Sequence, residues 1–145
     1  MPYATQADLT QRFGAEELIQ LTDRALLGTV DAPTVAAALA DADAAIEGYL
    51  AARYAVPVSP VPALLRRVGC DISRFFLHGN AAPEPVRQAY EDALRVLKDL
   101  ADGRAVLVGA AAAASGAVPA ASPGTVRLDA PSRGLDRASL GDYLG

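Results

Sequence analysis

Residues 31–62 read DAPTVAAALADADAAIEGYLAARYAVPVSPVP, and this stretch decides the fold class. Asp31 suits a helix N-cap, and Pro33 is tolerated in the first turn, where its missing N–H would be unpaired in any case. Val35, Leu39, Ala42, Ile46, Tyr49 and Arg53 then follow alternating steps of four and three, which predicts one stripe along about five helical turns. Asp41, Asp43 and Glu47 fall largely off that stripe. The run ends hard: Pro57, Pro60 and Pro62 impose extended backbone and remove three hydrogen-bond donors.

Working outward, the same pattern recurs on both sides. Toward the N-terminus, Thr5 followed by Asp8 marks a helix start, Leu9 and Phe13 make an i, i+4 apolar pair, and Gly14 breaks the helix. A second short helix, Ala15–Thr22, presents Leu18, Ile19 and Leu21. After the prolines, Pro62 opens a helix with Leu65, Val68, Ile72 and Phe75 or Phe76 on one face, closed by His78-Gly79-Asn80. Pro83 and Pro85 open a last helix through Asp102, with Val86, Tyr90, Ala93, Leu97 and Leu100 as its stripe and Gly103 as its stop. The expectation is a mainly α protein: a small helical bundle over residues 1–103, three long helices plus short N-terminal ones.

Residues 104–145 differ in character. Gly, Pro and Ala dominate, and only Arg104–Val108 and Thr125–Leu128 suggest short β-strands. The end carries Leu135, Leu140, Tyr143 and Leu144. Such a segment buries too little to offset its own ordering entropy, so it reads as an extended C-terminal arm that needs partner subunits. Its candidate docking residues are Thr125, Val126, Arg127, Leu128, Leu135, Leu140, Tyr143 and Leu144.

Composition narrows the function. The 145 residues are 52% hydrophobic, but much of this is alanine, and Trp is absent, so the core is modest. The net charge of −4 argues against a dedicated nucleic-acid binder. The charge is uneven: residues 1–50 hold eight acids and two bases, whereas residues 51–80 hold Arg53, Arg66, Arg67 and Arg74 against Asp71 alone. An acidic face at Asp41, Asp43 and Glu47 and a basic strip at Arg53, Arg66, Arg67 and Arg74 are candidate contacts between copies. The competing readings are pairing of Arg66, Arg67 and Arg74 within the chain, with Asp71, Asp41 or Glu47, and their contact with DNA phosphates.

Catalytic patterns are missing. His78, the single histidine, has no nucleophile-elbow motif beside it and reads as a helix-end residue. Cys70, the single cysteine, reads as a small buried hydrophobe and excludes an intrachain disulfide. Asp23–Thr34 fails as a calcium loop, because Ala25 and Leu27 stand where oxygen ligands belong and Thr34 stands where the bidentate glutamate does. No phosphate-binding glycine loop occurs. No enzyme activity, cofactor or metal is expected, and no signal peptide or membrane span is read.

Several clusters carry a resemblance: Tyr3-Ala4-Thr5 with Asp8-Leu9 and Arg12-Phe13-Gly14; Glu17 through Arg24; Ala40 through Asp43 with Ile46 through Tyr54; Pro57, Pro60 and Pro62; Leu64 through Arg67; Cys70-Asp71-Ile72; and Tyr90 through Leu94. Together they resemble a family of small proteins of Mu-like phages, which looks like the helical head–tail connector, or adaptor, type. The loop Ala25–Thr29 departs from it in being less acidic. The resemblance implies a structural virion protein, a homo-oligomeric ring of twelve copies at the neck between capsid and tail. It implies docking on the portal protein through the arm and contact with the next neck or tail-completion protein. Contact with packaged DNA would be incidental, and the protein would be made in the host cytoplasm. The alternative is a helical DNA-associated or regulatory module using the basic strip.

Overall fold

The computed structural model describes residues 2–113, and they are mainly helical. Five helices follow in order: α1 (Gln6–Phe13), α2 (Ala15–Thr22), α3 (Ala32–Leu50), α4 (Ala63–His78) and α5 (Glu84–Asp102), with a short 3₁₀ turn at Gly79–Ala81. Thr125–Leu128 and Leu135–Leu144 lie outside the described residues.

Local chemistry sets the boundaries. The Thr5 hydroxyl accepts from the Asp8 N–H (3.2 Å) and the Asp8 carboxylate accepts from the Thr5 N–H (2.9 Å), a reciprocal capping box. Gly14, at φ +94°, ends α1 and starts α2 in a conformation that a side chain would strain. Gly103, left-handed at φ +83°, closes α5, and the N–H groups of Arg104 and Ala105 fold back onto the Asp99 carbonyl.

The central helix is α4. It packs on α3 and α5 and also meets α1 and α2. Leu65, Val68 and Ile72 are fully buried between Ile46 and Leu50 of α3 and Ala93, Leu97 and Leu100 of α5. A smaller cluster joins Leu9, Leu18, Val35, Leu39 and Cys70. Gly69 sits at a close approach: a Cβ there would stand 3.2 Å from the Ala4 Cβ, a tight contact. The Phe75 ring stacks on Tyr90 at 4.0 Å between centroids, joining α4 to α5.

Two expectations need correcting. The apolar stripe of α3 does not run on to Arg53. The helix ends at Leu50, the Arg53 and Tyr54 N–H groups both turn back to the Leu50 carbonyl, and Tyr54 is buried while Arg53 is exposed. Ala38 and Leu50 complete the buried face, and Tyr49 is only half-buried. Nor is Arg104–Val108 a strand. Its first residues are consumed in capping α5, its arginine pairs with Asp99 and Asp102, and Leu107 turns into the core with no neighbouring strand to bond. The nearest thing to β-structure among the described residues is one isolated antiparallel bridge between Tyr54 and Ala112.

Two tyrosines tie distant segments together. Tyr3 is buried; its N–H donates to Asp43 (3.0 Å), and its hydroxyl donates to Glu47 (3.2 Å) and accepts from the Val58 N–H (3.0 Å). Tyr54 accepts the Leu107 N–H on its hydroxyl (3.0 Å), and the Ala55 N–H donates to the Ala111 carbonyl (3.0 Å). The compact helical unit therefore continues past Gly103 to Ala112.

Candidate functional site

The arginines of the expected basic strip separate into two groups. Arg74 is engaged: its Nε and Nη2 each sit 2.7 Å from the Glu17 carboxylate, and its guanidinium lies 4.2 Å from the centroid of the Phe13 ring. This fork joins α4 to α2 across a partly shielded surface, so it acts as a structural clamp. None of the partners considered from the sequence, Asp71, Asp41 or Glu47, is its mate.

Arg66 and Arg67 remain exposed in the first turns of α4. With Asp8, Gln11 and Arg12 of α1 and with Ala63 they line an open cleft of about 430 Å³. Arg12 reaches Asp71 at 3.7 Å. Burial pushes the Asp71 carboxyl above its ordinary range, and Arg12, Arg67 and Arg74 only partly offset that rise. Arg53 is exposed and stands beside Gly103, where a Cβ would meet its Nη1 at 2.8 Å.

The acidic face divides in the same way. Asp43 and Glu47 are half-buried acceptors for Tyr3, whereas Asp41 is exposed. Burial raises the Asp43 carboxyl, opposed by the Tyr3 N–H. The sequence pattern showed the arginines and carboxylates but not the internal partners that occupy Arg74, Asp43 and Glu47. Arg12 was missed as a member of the basic cleft; its place one turn after Asp8 on a helix facing α4 was the available signal.

Nothing among the described residues assembles a nucleophile with a base. The Ser73 hydroxyl and the His78 Nε2 are both buried without a hydrogen-bond partner, so they do not bond each other. Burial lowers the His78 pKa and pushes the Cys70 thiol up to about 11, which keeps it protonated at neutral pH. In the loop after α2 the Asp23 carboxylate accepts from the N–H groups of Leu27 (2.9 Å) and Gly28 (2.6 Å), which is the chemistry of a turn. No helix of the described residues is long and apolar enough to cross a membrane.

The family model described as Bacteriophage Mu, Gp36 matches residues 3–128. The chain belongs to the phage Mu Gp36 family. Two relatives agree. The Mu-like prophage FluMu protein gp36 of Haemophilus influenzae is 39% identical over 101 residues, covering 70% of this chain and 72% of the relative. Gene product J of Escherichia phage Mu is 39% identical over 105 residues, covering 72% of this chain and 74% of the relative. As a member of the Gp36 family, the chain is a phage protein.

The Arg74 clamp makes a direct prediction for this Gp36-family chain. Arg74→Ala leaves the half-buried Glu17 carboxylate unpaired and should cost about 1.5–3 kcal/mol in urea unfolding. Arg74→Lys should recover only part of this, because an ammonium cannot make the fork. Arg66→Ala and Arg67→Ala, at exposed positions, should stay within about 0.5 kcal/mol of the parent.

Proposed function

We propose that this chain is a head–tail connector subunit, an adaptor that forms a ring at the neck of the virion and docks on the portal protein through its C-terminal arm. The observation that carries the reading is the rooting of the chain beyond α5. Leu107 and Ala111 are held on Tyr54 and Ala55, so the segment leading to the arm starts from a fixed point on the helical unit. Membership of a Mu phage family and the lack of an assembled catalytic pair among the described residues fit a non-catalytic building block.

In this reading the exposed Arg53, Arg66, Arg67 and Asp41 face neighbouring copies, while Arg74, Asp43 and Glu47 hold the subunit together. The arm residues Thr125–Leu128, Leu135, Leu140, Tyr143 and Leu144 meet the portal, and the next neck or tail-completion protein sits below. Twelve copies in the ring follows from the adaptor type.

Limited proteolysis tests it. Cleavage beyond Ala112 should be fast in the free protein and suppressed when portal protein is added. An arm as resistant as the helical unit in free protein, or no protection by portal, sinks the reading. Native mass spectrometry of the assembled species gives the copy number.

The convergence of Arg12, Arg66 and Arg67 on one cleft favours a second reading, a DNA-associated module. It requires affinity that falls with salt at a slope of about −0.9 per phosphate contacted. Absence of binding at low salt removes it.

A further inference from the structure

The loop between α2 and α3 holds two leucines in water in a fixed shape. Leu26 is 89% exposed and Leu27 is 75% exposed. Leu26 is the only non-glycine with positive φ among the described residues, at +57°. Floppiness does not explain the exposure. Asp23 binds the N–H groups of Leu27 and Gly28, and at the loop's ends the Thr22 hydroxyl donates to the Leu18 carbonyl (2.7 Å) and accepts from the Asp31 N–H (3.0 Å). A strained backbone is thus braced so that it presents an apolar knob.

The same chain carries an apolar groove along the side of α3, about 340 Å³ in volume, lined chiefly by Pro2, Ala4, Ala36, Leu39 and Ala40. The Asp43 carboxylate borders it. The loop's single cation is Arg24, exposed beside the knob, while its acids Asp23 and Asp31 are engaged by the loop's own N–H groups and by the Thr34 hydroxyl. Knob and groove are therefore complementary in polarity and in charge.

We infer that the Leu26–Leu27 knob of one copy seats in the Pro2–Ala40 groove of the next, with Arg24 facing Asp43. Because knob and groove are different surfaces, the contact is heterologous and repeats head to tail, which closes into a ring when the rotation permits. The inference rests on the ring reading above and supplies its subunit contact.

The test uses full-length protein and its mass in solution across a concentration series. The double variant Leu26→Asn, Leu27→Asn suits the left-handed backbone, since Asn tolerates positive φ. It should melt no lower than the parent yet self-associate about tenfold or more weakly, as loss of central apolar anchors does. Ala40→Arg, at an exposed groove position, should have the same effect by blocking the groove and repelling Arg24. Mixing the two variants should give a heterodimer that neither forms alone, because one intact knob then meets one intact groove. A double variant that assembles like the parent, or a mixture without the heterodimer, overturns the contact and leaves the ring reading standing. A parent that stays monomeric throughout overturns both.

Discussion

Tyr3→Ala should lower the unfolding free energy by about 3–5 kcal/mol, the range for truncating a fully buried aromatic side chain. Two effects add. The ring leaves a void in the core shared with Ile46, Val68 and Leu97, and the buried Val58 N–H loses its acceptor. Against a total of about 5–15 kcal/mol for an ordinary domain, this removes much of the stability, and the melting temperature should fall by roughly 10 °C or more. Tyr3→Phe separates the terms. It keeps the packing and should cost only about 1–3 kcal/mol for the orphaned donor.

The phenol also gives a pH signature. Burial raises the Tyr3 pKa; the Val58 N–H opposes the rise, and the charges of Glu47 and Asp43 add to it. A folded-state pKa above the unfolded value of about 10 means that the contribution is complete below pH ~10. It is lost as pH rises through the folded value. Denaturant midpoints between pH 9 and 11 should therefore fall less for Tyr3→Phe than for the parent. Parallel curves would remove the phenol as the cause.

Tyr54→Ala should be comparably damaging, about 3–5 kcal/mol, for the same reason of lost buried ring volume. Its milder partner is the more informative. Tyr54→Phe keeps the ring and strips the acceptor from the Leu107 N–H, so residues 104–112 should loosen before the helices do. Hydrogen exchange at the Leu107 amide should rise about tenfold or more while core amides of α4 and α5 change little. Uniform acceleration across all helices would show instead that Tyr54 acts through global stability alone.

Much of the fold was legible in the sequence because its signals are local. Thr5 with Asp8, Gly14, Pro62, Pro83 with Pro85, and Gly103 act through caps and forbidden dihedrals, and the helices start and stop where these residues stand. The end of α3 was harder. Ala51, Ala52 and Arg53 are good helix formers, and only burial of Tyr54 against the chain near Leu107 turns the backbone out. Arg104–Val108 misled for the opposite reason: its apolar residues suit a strand, but the left-handed Gly103 folds its start back over α5. At the candidate site, spacing aligned Arg67 with Arg74. Which of them forms an ion pair among the described residues depends on Glu17, which lies 57 residues from Arg74 in the chain. The role of Tyr3 was likewise hidden, since its three partners lie on segments that periodicity treats separately.

The two tyrosine tethers overlap along the chain. Tyr3 reaches Val58, a separation of 55 residues, and Tyr54 reaches Leu107, a separation of 53. The second loop opens before the first has closed, so no cut point divides the unit into halves that each keep their own tether. During synthesis, the N-terminal tether has to wait for Val58 to emerge from the ribosome, and the second for Leu107. A prematurely terminated chain that stops before Leu107 lacks the second closure. The helical unit thus holds both tethers only once Leu107 has been made.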